Sequence, residues 1–293
     1  MIREIRDEEL VMGAVGRKHA MLNELGPDAP GERTPYAAYV RNEELHTLQD
    51  LVSDSPAEPA FLVNAQVMEL YFGLVVHELR TAQVELRADD LTRTLATLRR
   101  AAAHLRALSG MWDSLAWLTP ADLLPVLRGL AERHGKDSAL QSWMYRRLVF
   151  LLGLKTRDDL TPFDATPTRQ HQLRAALSEP SLYDDVLAYL ARRGHPVPDE
   201  QRDFAEPYVP DAAVVEVWRE VYEKPRGDLF ALGEALADVA EQFTNWKYRH
   251  LMSVRRTFGD RAAYHGEPGV TWLSPTLDEL PFPEFWTARA AVG

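Results

Sequence analysis

The sequence predicts an all-α protein: a bundle of long helices with a small irregular helical insert. Three observations predict it. Apolar residues recur at steps of three and four along most of the chain, the signature of one helix face. Strand-like alternation is nearly absent. Glycine is sparse, 16 in 293 residues, while Leu and Ala abound. A chain of this length can bury a sizeable core, and we read residues 1–293 as a single helical domain with the insert at about 155–211.

Each element has a local reason. Glu8–Leu25 is an amphipathic stretch stopped by Gly26-Pro27, and Gly31–Pro35 is a loop. Residues 59–86 form a long helix whose inner face is expected to carry Phe61, Val67, Leu70, Leu74 and Leu79. Asp89 or Asp90 caps the next helix, which carries Leu91, Leu95, Leu98, Leu105, Leu108, Trp112 and Leu115. Thr119-Pro120 puts a cap before a proline at the first helical position. Ser138–Leu154 reads as a further helix. Seven prolines punctuate the stretch from 155 to 211, leaving room for short helices such as Leu182–Arg193. Helices follow at 212–223 and 228–258, the latter spanning about 46 Å. The tail after Gly259 reads as loop-rich.

Composition excludes several functions. The formal net charge is −11, from 33 Lys+Arg against 44 Asp+Glu, which argues against a nucleic-acid or anionic-membrane partner. There is no cysteine, so disulfides, Cys-ligated zinc, iron–sulfur clusters and thiolate-bound or c-type heme are ruled out. No segment approaches 18 consecutive apolar residues, and Met1-Ile2-Arg3-Glu4 lacks a signal-peptide profile, so a cytoplasmic protein is expected. No glycine-rich phosphate loop follows a strand, and His77-Glu78 lacks the second histidine of a zinc motif, since Thr81 stands there. The carboxylate pairs Asp89-Asp90 and Asp158-Asp159 point in different directions on a helix and are expected to be solvated caps.

The most informative stretch is Asn245–Arg256. The stripe Leu229, Leu232, Leu236, Val239, Phe243, Trp246, His250, Val254 marks one helix face, and His250 stands where the pattern calls for leucine. A buried imidazole needs a partner for its nitrogens. From spacing alone, a core histidine bonded to a backbone carbonyl is the commoner case and a metal ligand the other.

A set of segments then resembles a known family. Tyr36, Tyr39-Val40, Leu45 and Leu48 come first, followed by Phe61–Gln66 with Glu69-Leu70-Tyr71 and His77-Glu78-Leu79. Next are Met111-Trp112 through Leu118-Thr119-Pro120, then Ser138–Ser142 with Tyr145-Arg146. Trp246 to His250 with Val254 and Arg256, then Phe282–Trp286 and Arg289, complete the order. Over roughly residues 34–290 this resembles the tryptophan 2,3-dioxygenase family of all-helical heme enzymes. The resemblance implies heme b as cofactor, His250 as the axial iron ligand and Trp112 near the heme propionates. It also implies Phe61 in the wall of the substrate pocket, an aromatic amino acid with dioxygen or hydrogen peroxide as reactants, and a homo-oligomer, dimer or tetramer.

The chain departs from the family at three places. The distal histidine of the family's dioxygenases corresponds here to Ala65, and His77, about 18 Å along the helix, cannot replace it. The arginine that clamps the substrate carboxylate corresponds to Leu127; Arg128 follows, turned by about 100°. It serves as the clamp if the helix rotates and is a solvated arginine otherwise. In the glycine-threonine loop, Tyr264 takes the threonine's position beside His265, and the pair could orient the substrate's polar end or move a proton. The heme site is thus expected to be kept and the tryptophan-specific pocket altered, as in natural-product relatives that hydroxylate tyrosine or oxidise tryptophan derivatives in secondary metabolism. The alternatives are a tryptophan 2,3-dioxygenase proper, a non-catalytic heme or ligand-binding protein on the same fold, and a helical scaffold without heme.

Overall fold

The computed structural model describes residues 33–136, 138–198, 202–259 and 269–292. The helix expected at Glu8–Leu25 and the loop pair Tyr264 and His265 lie outside the described residues. Among those described there are helices and turns and no strand. Two short helices, α1 (Pro35–Val40) and α2 (Asn42–Leu45), lead into α3 (Glu58–Arg87) and α4 (Leu91–Gly110). Then come α5 (Pro120–His134), α6 (Trp143–Leu151), α7 (Pro167–Leu177), α8 (Leu182–Arg192), α9 (Ala212–Glu223) and α10 (Asp228–Phe258). Two short tail helices, α11 (Gly269–Leu273) and α12 (Pro283–Ala291), close the order.

The frame is α3, α4 and α10, with α4 packed against both of the others. Their buried faces follow helical spacing: Phe72, Val75, Val76, Leu79, Ala82 and Leu86 on α3, and Leu232, Leu236, Val239, Phe243 and Trp246 on α10. Ala82, Ala101 and Ala102 let α3 and α4 approach closely, since a methyl group keeps the axes near each other. α6 and α8 pack on α3, and α9 packs on α12.

Local signals set the helix ends. Asp90 rather than Asp89 caps α4, accepting from the Arg93 amide at 3.1 Å. Asp89 has φ 56° and pairs with Arg192 at 3.0 Å. At α5 the Thr119 amide donates to Asp122 at 2.8 Å and their side chains close a capping box. Four sequence expectations need correction. The α4 helix stops at Gly110, and Trp112 and Leu115 lie in the turn and 3₁₀ segment beyond it. Ser138–Leu154 is broken: a 3₁₀ turn at Ser138–Leu140 comes first, and Ser142 then caps α6 by accepting from the Tyr145 amide at 3.2 Å. The tail contains α11, a 3₁₀ turn and α12 rather than loop alone. On α3, Leu70 is 67% exposed and Leu74 also faces outward; the buried face is rotated away from them.

The segment 155–211 is joined to the bundle. Phe150, Leu160, Phe163, Leu173, Leu177 and Ala205 make a satellite core, while Leu182, Tyr183, Val186 and Leu190 of α8 enter the main one. Asp185 of α8 is held by Gln83 at 2.7 Å and by both ends of the Arg87 fork at 2.8 Å. α3 contains a window apolar and long enough to cross a membrane by length and composition, at mean hydropathy 1.4. Here it packs along one face, with Glu78 paired to Arg100 at 2.8 Å.

Candidate active site

A cavity of about 1700 Å³ lies between α3, the turn after α4, α5, α6, α10 and α11, with loop residues completing its wall. That exceeds the roughly 300–1,000 Å³ of a pocket for one drug-sized ligand, so a macrocycle and a second molecule can share it. Phe61, Ala65 and Met68 line it from α3, one helical turn apart. His250, Ser253, Val254 and Thr257 line it from α10. The helical pattern forces this: the stripe that buries Phe243 and Trp246 runs out of core at His250 and continues along the cavity.

His250 is half-buried by its neighbours and meets the cavity. Burial pushes its pKa down from 6.5 to about 4, so the ring is neutral at pH 7. Among the described residues it makes ring contacts only, with no hydrogen bond. The core-histidine reading, with a backbone carbonyl as partner, therefore finds no such carbonyl there. Trp112 stacks on the imidazole, centroids 4.5 Å apart and planes 5° from parallel. Stacking covers the ring face and leaves the in-plane nitrogen lone pair, which is the ligating one, uncovered. Trp246 lies 5.7 Å from His250 and 5.8 Å from Trp112. The indole N–H groups of both tryptophans are buried without a partner among the described residues, a condition that normally marks a missing acceptor.

These residues fit a histidine-ligated heme. A neutral, unpartnered imidazole, two orphan donors beside it and a largely apolar cavity of macrocycle size are what such a group needs. Two ties hold the turn that carries Trp112 against α10. Arg249 pairs with Asp113 at 2.7 Å, and Arg256 donates to the Ala116 carbonyl at 2.5 Å.

The other expected site residues divide. Phe61 packs with Ala57, Leu115 and Leu118 at the cavity wall, and Ala65 stands open to the cavity with its methyl group. Arg128 is not brought to the site. Leu127 lines the cavity and Arg128, one residue on, is exposed, because one step on a helix turns a side chain by about 100°. His77 is exposed on the outer face of α3; its carbonyl accepts from the Thr81 hydroxyl at 2.9 Å, and its ring makes no hydrogen bond among the described residues. Asp159, expected as a solvated cap, is 8% exposed and paired with Arg146 at the cavity wall.

The sequence reading missed two cavity-lining groups. Tyr145 stacks on Phe243 and meets Phe72 and Trp246 at a tilt, and burial pushes its phenol up to about 12. Glu69 is raised above the ordinary carboxyl range by burial, opposed by a hydrogen bond to Ser142. The spacing of four from Ala65 would have pointed to Glu69.

Comparison with known proteins gives the family. A family model described as tryptophan 2,3-dioxygenase matches residues 26–171 and 197–292. Its unmatched gap falls inside the proline-punctuated segment. Tryptophan 2,3-dioxygenase of Polaromonas sp. (strain JS666 / ATCC BAA-500) is 36% identical over 258 residues, 87% of this chain and 86% of the relative. The enzyme of that name from Myxococcus xanthus (strain DK1622) is 36% identical over 263 residues, 88% of this chain and 89% of the relative. That of Caulobacter vibrioides (strain ATCC 19089 / CIP 103742 / CB 15) is 36% identical over 258 residues, 87% and 97% respectively. With both the model and these relatives spanning most of its length, the chain belongs to the tryptophan 2,3-dioxygenase family.

Proposed function

We propose that this protein is a heme-dependent oxygenase of an aromatic amino acid. The carrying observation is His250, a neutral imidazole with no hydrogen-bond partner among the described residues, opening on a cavity of about 1700 Å³. His250 would ligate the iron and Trp112 would fix the plane of its ring by stacking. Trp112 and Trp246 would donate their free indole N–H groups to acceptors at the edge of the macrocycle. Heme, when bound, supplies the activation of dioxygen or hydrogen peroxide that no side chain here can supply. The protein's part is positioning: Phe61 walls the space over Ala65, and the apolar lining excludes water from the reacting ring. Tyr264 and His265 would orient the polar end of the substrate.

The relatives' names favour tryptophan as substrate and dioxygenation as outcome, and give no support to tyrosine hydroxylation in secondary metabolism. The second reading, oxidation of a tyrosine or a tryptophan derivative, rests on Ala65 and Leu127, where the dioxygenases' histidine and arginine are missing. The deciding experiment loads the purified protein with heme and supplies tryptophan, tyrosine and their methylated forms with dioxygen or peroxide. Tryptophan gaining two oxygen atoms bears out the first reading, and one atom added to another ring the second. A Soret band that shifts with these ligands without product leaves a binding protein; failure to take up heme leaves a scaffold.

We also read the chain as one cytoplasmic helical domain that self-associates. Support for self-association is an outward stripe on α3: Val63, Val67, Leu70, Leu74, His77, Thr81 and Val84. It alternates steps of four and three, the spacing of a helix seam, and Leu70 and Val84 are 67% and 64% exposed.

A further inference from the structure

We propose that Glu69, steadied by Ser142, is the acid–base group on the Ala65 side of the cavity. The proposal rests on the heme reading and adds a residue to it. Glu69 follows Ala65 by four residues on α3, so both project from one helix face about 6 Å apart, and both line the cavity. Helical side chains lean toward the N-terminus and cover the preceding turn. That direction carries the side chain at 69 toward the turn of Ala65. A large side chain at 65 would fill that space; alanine leaves it to Glu69. Ser142, fixed as the N-cap of α6, meets the carboxyl from the facing element.

The environment of Glu69 suits proton handling. Burial favours its neutral form and outweighs Ser142, which favours the ionised one, so the carboxyl holds its proton to higher pH than a solvated glutamate. Three cations on the wall are committed elsewhere. Arg146 of α6 pairs with Asp159, and Lys247 of α10 donates to the carbonyls of Thr276 and Glu279. Lys155 donates to the carbonyls of Leu177, Glu179 and Phe204. The remaining ionisable groups lining the cavity include Lys136 after α5, Asp158 beside Asp159, Tyr183, Tyr208, and Asp278 and Glu279, which act on Lys247. None of them contributes to the Glu69 shift. When protonated, Glu69 Oε–H donates to a ligand oxygen; when that proton passes to the ligand, the carboxylate accepts from Ser142 and is reprotonated from solvent.

The test uses the full chain in apo and heme-loaded forms. In apo protein, infrared titration should show one carboxyl protonated above the ordinary glutamate range, absent in Glu69→Gln and moved higher in Ser142→Ala. In ferric loaded protein, fluoride binding should weaken tenfold per pH unit above that midpoint and lose this dependence in Glu69→Gln. Burial puts His250 near 4, Tyr145 near 12 and both lysines near 8, so a midpoint is assigned to Glu69 only where Glu69→Gln removes it. Glu69→Asp, which keeps a carboxyl, should restore a pH dependence. An unchanged infrared signal or fluoride profile in Glu69→Gln overturns the proposal and leaves the heme reading standing. Failure of the unsubstituted protein to take up heme overturns both.

Discussion

His250 occupies a leucine slot in the α10 stripe, and holding its nitrogens away from water is favourable only while the ring stays neutral. The sign of the pH effect follows. The folded pKa, about 4, lies below the ordinary 6.5, so the unfolded chain binds the proton more readily. The stability that this group contributes is complete above about pH 6.5 and is lost as pH falls from there through 4. Replacing His250 with Phe keeps an aromatic ring against Trp112 and removes the titration. We expect urea unfolding of the apo variant to vary less with pH between 6.5 and 4 than that of the unsubstituted chain. Equal slopes would mean that the ring is solvated. The same variant should fold yet show no Soret band on mixing with heme, whereas substitution at Arg128, exposed away from the cavity, should leave heme uptake unchanged.

At the scale of the element, close approaches decide where helices lock. Gly129 on α5 lies against the backbone of the preceding loop, and a Cβ there would meet the Val52 carbonyl oxygen at 2.5 Å. That loop cannot simply retreat. Glu58, 2% exposed, accepts from the Val52 and Ser53 amides at 2.6 and 2.7 Å. Gly129→Ala should therefore destabilise by about 1–3 kcal/mol, the usual cost of overpacking, read as a lower thermal midpoint. A neutral result would show that α5 slides freely. These elements also show what the sequence could reveal. The ends of α3, α9 and α10 were legible because caps, glycines and prolines bound strong periodic runs. The break after Gly110 was not, since Trp112 and Leu115 keep the three-and-four rhythm through a 3₁₀ turn. The inner face of α3 was misplaced for a different reason: the helix has two apolar stripes, and periodicity alone does not say which faces the core. His250 stood out as a polar residue in an apolar row. Glu69 did not, because a glutamate on a helix is ordinary until the cavity beside it is known.

Over the whole molecule the misplaced stripe gains meaning. A long helix that buries Phe72, Val75, Leu79 and Leu86 on one side and exposes Leu70, Leu74 and Val84 on the other has one face left to satisfy. The exposed face repeats at seven residues, so a second copy of the same helix laid against it meets matching positions along its length. The chain's net charge of −11 opposes close approach of two copies, yet this stripe itself carries no acidic residue. Leu70→Glu with Leu74→Glu would place two carboxylates per chain in the seam, where burying unpaired charge is prohibitive. Both positions point away from the core, so helix content and thermal midpoint of the separated chain should change little. Sedimentation should show an oligomer for the unsubstituted protein and a monomer for the double variant. The reading fails if the unsubstituted protein is monomeric at tens of micromolar, or if the double variant keeps the same oligomer. Because α3 lines the cavity with Phe61, Ala65 and Glu69, loss of the seam should also weaken heme retention, measured as faster transfer to an acceptor protein.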